Sequence, residues 1–198
     1  MIRNIVFDLG NVLLSFRPSE YLQKMNYAPE IRDVILKDIF GSQEWLMIDN
    51  GDLTTGEALD IISQRSSLKK EEIALIFNKR TDIMFPLRTN IRLLPELRKR
   101  GFKLYYLSNF PSDIFNEVKN GYSFFRYFEG GLISAEVKFS KPDIRIFQVL
   151  FEKYGLIPEE SFYIDDIETN VRAAEFLGMK GLVTFGSNDI SDKLSEIL

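Results

Sequence analysis

The sequence predicts an α/β fold with a mainly parallel sheet, interrupted after its first strand by an inserted helical module. Three observations carry this prediction. Short runs that are apolar on both faces, as buried parallel strands are, alternate with longer stretches of helical periodicity. Gly and Pro stand where those helical stretches stop and start. From about Ser15 to Phe85 the alternation lapses, and only helical pattern remains. That block of about 70 residues is too long for an ordinary crossover connection, which points to an insertion.

The elements follow in order. "IRNIVFD" (2–8), "FKLYYLSN" (102–109), "SFYIDD" (161–166) and "GLVTF" (181–185) are the four predicted strands. In the insertion, "TTGEALDIISQ" has Thr54 three residues before Glu57, the spacing of a capping box, followed by Leu59, Ile61 and Ile62. "KKEEIALIFNKR" is a further helix with a charged, solvated face. "NIRLLPELRKRG" ends at Gly101, with Pro95 placed in the helix's first turn. "PDIRIFQVLFEKYG" runs from Pro142 to Gly155, with Ile144, Phe147, Leu150 and Phe151 at helical spacing. "IETNVRAAEFLG" carries Val171, Ala174, Phe176 and Leu177 and stops at Gly178. Strands alternating with helices in this way build a parallel sheet.

Composition narrows the chemistry. The 198 residues are 45% hydrophobic and 27% charged, the balance of a soluble globular chain. With no Cys, disulfides, thiolate metal sites and thiol nucleophiles are excluded. With no His, Ser-His-Asp triads and histidine acid/base chemistry are excluded too, leaving carboxylates, Lys and Tyr to move protons. A net charge of −4 argues against a nucleic-acid partner. No apolar run approaches the ~18 residues of a membrane span, and the N-terminus lacks the flanks of a signal peptide. The expectation is a cytoplasmic protein with no membrane partner.

In parallel sheets, ligands bind beyond the carboxyl ends of the strands. Three of the four predicted strands end in groups that can do chemistry: Asp8, then Ser108 and Asn109, then Asp165 and Asp166. Lys141 stands just before the helix that begins at Pro142. Singly, each has a structural explanation. Asp8 can end a strand, Ser108 or Asp165–Asp166 can cap a helix, and Lys141 can be a surface lysine. All four in this order at strand ends make a common crevice the better reading.

"FDLGNVLL", "LYYLSNF", Lys141 before Pro142 and "YIDDIETNVRAAEFLGM" resemble, in that order, the four motifs of the haloacid dehalogenase superfamily of phosphatases. The resemblance runs from residue 2 to about 185. It implies a Rossmann-like three-layer core, residues 1–15 and 86–198, and a C1-type α-helical cap, residues 16–85. "DLGNV" with "GDLTTGE" is similar to the bacterial sugar-phosphate branch that includes the α-D-glucose-1-phosphate phosphatases. By that resemblance Asp8 attacks phosphorus and forms an aspartyl-phosphate. Mg²⁺ is held by Asp8, the Gly10 carbonyl and Asp166, with Asp165 close by. Ser108, the Asn109 N–H, Lys141 and the Asn11 N–H bind the phosphoryl oxygens. The implied partner is a small phosphorylated metabolite, bound by a monomer or homodimer.

One position departs from the pattern. Most phosphatases of the superfamily carry a second Asp two residues after the nucleophile, and here that residue is Gly10. The acid/base side chain is gone, a loss worth ~10²–10⁴-fold unless something else serves. Relatives that also lack it include metal-independent L-2-haloacid dehalogenases, but these lack the paired acids that Asp165–Asp166 supply here. Phosphonate-cleaving relatives use a cap lysine, for which Lys24 and Lys37 are candidates. A non-catalytic phosphate- or protein-binding module is the remaining alternative. For substrate choice the candidates are Trp45 and Asp49 in "GSQEWLMIDNGDLT", an aromatic platform beside a carboxylate, suited to a polyhydroxylated sugar. The competing reading makes Trp45 an anchor of the helical module's own core.

Overall fold

The computed structural model describes residues 1–184 together with Ile190, Lys193 and Leu194. Phe185, the last residue of the fourth predicted strand, lies outside the described residues. The chain enters through β1 (Asn4–Phe7), and a short strand β2 (Leu14–Phe16) follows. Five α-helices come next, α1 (Pro18–Lys24), α2 (Pro29–Ile35), α3 (Gln43–Asp49), α4 (Thr55–Arg65) and α5 (Lys70–Asn78), with a π-helical turn at Leu36–Phe40 and a 3-10 turn at Arg80–Ile83. The chain returns through β3 (Met84–Pro86). Among the described residues there follow α6 (Arg88–Ile91), α7 (Leu93–Lys99), β4 (Lys103–Ser108), α8 (Ser112–Gly121), β5 (Gly130–Ile133), α9 (Ser134–Val137), α10 (Ile144–Tyr154), β6 (Ser161–Asp165), α11 (Glu168–Phe176) and β7 (Lys180–Val183).

Five strands form a parallel sheet in the order β5-β4-β1-β6-β7. Alternation along β1 sends Ile5 and Phe7 to one face and Val6 to the other. The first face packs against Leu94 and Leu97 of α7 and Ile114 and Phe115 of α8. The second packs against Ile146, Phe147 and Leu150 of α10 and Val171 and Ala174 of α11. These are the three predicted layers, with a mainly parallel sheet.

The helix signals largely do what the sequence says. Thr54 and Glu57 close a full capping box on α4. Gly155 and Gly178 end their helices at φ +63° and +96°, where a β-carbon is strained. Pro95 lies in the first turn of α7. The helix expected from Pro142 begins two residues later, because the Asp143 side chain accepts the Arg145 N–H and so becomes the cap.

Two expectations are corrected. A fifth strand, β5, escaped the sequence reading because "GGLI" is only four residues long and opens on two glycines, which strands disfavour. Its glycines are demanded by tertiary packing: a β-carbon on Gly131 would run into the Tyr106 ring, and one on Gly130 into Tyr154. The stretch from Ser15 to Phe85 is also not purely helical. It is entered and left by an antiparallel ribbon pairing Leu14 with Pro86, Ser15 with Phe85 and Phe16 with Met84. Three residues per strand are too few to show a period of two. Between those strands the inserted helices have their own core, built on Ile39, Trp45, Ile62, Ile73 and Phe77.

Candidate active site

The sheet order reverses at β1, which has β4 on one side and β6 on the other, so the crevice beyond its carboxyl end is the topological switch point. Register fixes what meets there. Phe7 is level with Tyr106 of β4 and Ile164 of β6, so the next residues, Asp8, Leu107 and Asp165, emerge side by side. Asp8 is locked by its N–H, which donates to the Ile164 carbonyl at 2.8 Å.

Lys141 is not a surface lysine. Its side chain is 2% exposed, and Nζ lies 2.8 Å from Asp8 Oδ1 and 2.7 Å from Asp165 Oδ2. It also donates to the Leu107 carbonyl at 3.0 Å. Asn109 holds the lysine's backbone from both sides: its Nδ2 donates to the Lys141 carbonyl at 3.0 Å and its Oδ1 accepts the Lys141 N–H at 2.8 Å. Burial alone would lower Lys141, but the two carboxylates outweigh it and raise its pKa.

Asp165 is fully engaged. It accepts from Lys141, the Tyr163 hydroxyl, the Ile167 N–H at 2.8 Å and Asn170 Nδ2 at 3.1 and 3.2 Å. Burial pushes it up, and these donors, Lys141 first, more than reverse that and hold it low. Its work is therefore to fix Lys141 and the β6–α11 turn. Asp166 is half-buried, with one oxygen accepting from Asn11 Nδ2 at 3.1 Å; burial, with repulsion from Asp165, raises it. Asp8 is raised to about 7, chiefly by burial, with Asp165 and Asp166 adding repulsion against the opposing pull of Lys141.

Oxygen atoms of Asp8, Asp165 and Asp166 lie within 4.8 Å of one another. Three carboxylates therefore face a single ammonium, an excess of negative charge built from hard oxygen donors. This donor set fits a divalent cation of the Mg²⁺ type, and Asp8 and Asp166 are the side chains with oxygens to spare for it. The expectation that the Asn11 N–H is a phosphate donor is corrected: that N–H is already given to the Leu14 carbonyl at 2.6 Å. Asn11, at φ +51°, instead ties the turn together through Asp166 and the Phe16 N–H.

A cavity of about 170 Å³ opens over this cluster, and Asp8, Gly10, Asn11, Ser108, Asn109, Lys141 and Asp166 all line it. Trp45 and Asp49 line it too. Trp45 also belongs to the inserted helices' own core, stacking on Phe16 and Phe77 at centroid distances of 5.9 and 6.1 Å. Lys24 and Lys37 are exposed and stand outside the cavity lining. The sequence reading missed Tyr163, although its place two residues before Asp165 puts both on one face of β6. It also missed Ser134, Arg80 and Asp113, whose partners are distant in sequence and carry no local signal.

The haloacid dehalogenase-like hydrolase family matches residues 2–178. A sesquiterpene phosphatase of Aspergillus oryzae is 27% identical over 180 residues, 89% of this chain and 87% of the fungal one. A phosphoserine phosphatase of Thermus thermophilus is 34% identical over 90 residues, which span 45% of this chain and 36% of that enzyme. Among solved structures, a HAD family enzyme of Bacteroides thetaiotaomicron in complex with magnesium and inorganic phosphate superposes with a TM-score of 0.77. It is 26% identical, and the match covers 98% of this chain and 99% of that one. With motif order, sheet order and whole-length likeness in agreement, the chain belongs to the haloacid dehalogenase-like hydrolase family.

Proposed function

We propose that the protein is a magnesium-dependent phosphatase that hydrolyses a small phosphomonoester through an aspartyl-phosphate on Asp8. The observation that carries this reading is Lys141 buried between Asp8 and Asp165, with Asp166 completing a carboxylate triangle at the cavity floor. An Asp8 carboxylate oxygen is the nucleophile. Ser108 and the Asn109 N–H hold phosphoryl oxygens, and Lys141 offsets the charge of phosphate and nucleophile, which otherwise repel. Bound Mg²⁺, held by Asp8, the Gly10 carbonyl and Asp166, supplies further neutralisation of the phosphoryl oxygens. Residues 16–85 act as a C1-type cap over a core of residues 1–15 and 86–198.

The substrate class we favour is a sugar phosphate, in the manner of the α-D-glucose-1-phosphate phosphatases. A cavity of about 170 Å³ suits a small metabolite, and Trp45 beside Asp49 suits a hydroxylated ring with one C–H face. A second reading has its own observation. Leu14, Phe16, Met84, Phe110, Pro111 and Ile167 give the cavity a largely apolar wall, which favours a phosphate ester with a hydrocarbon body. The fungal sesquiterpene phosphatase supports that reading.

A panel of sugar 1-phosphates, sugar 6-phosphates, phosphoserine and a prenyl monophosphate, assayed with Mg²⁺, separates the two. Asp8→Asn abolishes turnover on every member while the fold persists. Activity on 2-chloropropionate in excess EDTA, with none on any phosphate, refutes the phosphatase reading in favour of dehalogenation.

A further inference from the structure

Gly10 leaves the nucleophile without the neighbouring acid that would protonate a leaving alcohol. A β-carbon at Gly10 would meet only Asp8 Oδ2, at 3.8 Å, so the site has room for such a group and lacks it. Of the acidic side chains lining the cavity, Asp8 and Asp166 belong to the charge cluster at its floor. Asp49 is the other, and it comes from α3 of the inserted helices.

Its position is built rather than incidental. The Asp49 carbonyl accepts the Ser134 hydroxyl, and the same hydroxyl oxygen accepts the Phe110 N–H at 2.9 Å. Asn50 Nδ2 donates to the Lys138 carbonyl at 3.4 Å, and its Oδ1 accepts from Ser140 Oγ at 2.8 Å. Gly51, at φ +76°, lies so close to Ala135 that a β-carbon there would sit 2.8 Å from the Ala135 carbonyl. The end of α3 is thus pinned to the two loops that carry Asn109 and Lys141. One helical turn back, the Trp45 indole lines the same cavity and stacks on Phe16 and Phe77, and its N–H favours the ionised Asp49 carboxylate.

Resting on the phosphatase reading above, we propose that Asp49 is the proton donor and acceptor of this site, replacing from the helical insertion what Gly10 omits. In the first step the Asp8 carboxylate forms an O–P bond, and the bond from phosphorus to the leaving oxygen breaks with its electron pair on that oxygen. The oxygen takes the proton of the Asp49 carboxyl and departs as the alcohol. In the second step ionised Asp49 takes a proton from water as the water oxygen bonds to phosphorus. The Asp8–phosphorus bond then breaks, the pair returns to the carboxylate, and inorganic phosphate leaves. Burial, opposed by the Arg80 charge and the Trp45 N–H and assisted by Asp113, raises Asp49 to about 7, so both forms are accessible near neutral pH.

The test is first-turnover release of the leaving group, with Mg²⁺, from p-nitrophenyl phosphate and from a primary alkyl phosphate. In Asp49→Asn, alkyl release falls by ~10²–10⁴-fold, while p-nitrophenolate, which needs no proton to leave, falls less than about tenfold. Adding Gly10→Asp to the Asp49→Asn variant recovers the alkyl reaction. An equal loss on both esters, or no loss on either, overturns the assignment and leaves the phosphatase reading standing. A wild-type protein inactive on every phosphomonoester overturns both. Should Asp49→Asn not fold, Trp45→Phe keeps the ring and removes the N–H that favours the ionised carboxylate. The alkaline limb of kcat/KM then moves to higher pH, and an unmoved limb overturns the assignment.

Discussion

Replacing Lys141 with Met tests the electrostatic logic of the site without touching the nucleophile. Lys141 Nζ neutralises Asp8 at 2.8 Å and Asp165 at 2.7 Å, where the side chains are 9% and 0% exposed. Methionine fills much the same volume but leaves two buried carboxylates facing each other. Removing one partner of a buried ion pair costs about 3–5 kcal/mol. In a chain of this size each kcal/mol moves Tm by about 2–4 °C, so the loss is about 6–20 °C. The pH dependence carries a sign. Asp8 is raised to about 7 even beside Lys141, and losing the lysine raises it further. A carboxyl raised on folding contributes stability at low pH that is lost as pH climbs through its folded pKa. The penalty in Lys141→Met is therefore small at pH 5 and large at pH 8. Adding Asp8→Asn relieves it, because one of the opposed charges goes. Calorimetry in EDTA at pH 5, 6.5 and 8 reads all of this. A shift under about 2 °C at pH 8, or a penalty larger at pH 5, refutes the reasoning.

Two further outcomes follow from the same contacts. Asp49, raised to about 7, penalises the fold as pH climbs from the ordinary carboxylate range through 7. Thermal melts from pH 5 to 8 should show wild type losing stability relative to Asp49→Asn, and parallel curves would contradict that. Asp113 on α8 accepts from Arg80 Nη2 at 2.7 Å and from Thr55 Oγ1 at 2.5 Å, joining the inserted helices to the sheet layers. Asp113→Ala leaves the buried Arg80 guanidinium without its counter-ion. It should cost about 1–3 kcal/mol, with faster hydrogen exchange concentrated in α4 and residues 80–83, and unchanged exchange there would count against the contact.

Asp8 at the end of an apolar run, Ser108–Asn109 at the end of another, and the Asp165–Asp166 pair were legible because parallel strands are buried on both faces. Polar residues at their ends are therefore conspicuous. The helices were legible for the same reason of period, helped by local chemistry such as the Thr54–Glu57 box. What failed locally was whatever a short segment owes to distant partners. β5 is a strand because it pairs with β4, where Tyr106 and Tyr154 leave room only for glycine, and the β2–β3 ribbon pairs residues about 70 positions apart. The Asn11 N–H looked available in one dimension, and only the tight turn to Leu14 shows that it is spent. Roles divide the same way. Sequence determined which acids and which lysine the chain has, and that no histidine can stand in for the acid missing at Gly10. Tertiary structure decided that Lys141, expected to offset the Asp8 and Asp165 charges, is buried within 2.8 Å of both, and that Asp165 is consumed by five hydrogen bonds while Asp166 keeps an oxygen to spare. It also decided how deeply Asp49, a substrate candidate in the sequence, is buried in the cavity wall, and so how strong an acid it is. The physical reason is that hydrophobic period and capping are read within a few residues. Charge neutralisation and acid strength depend on burial and on neighbours that only the folded chain brings within a few ångströms.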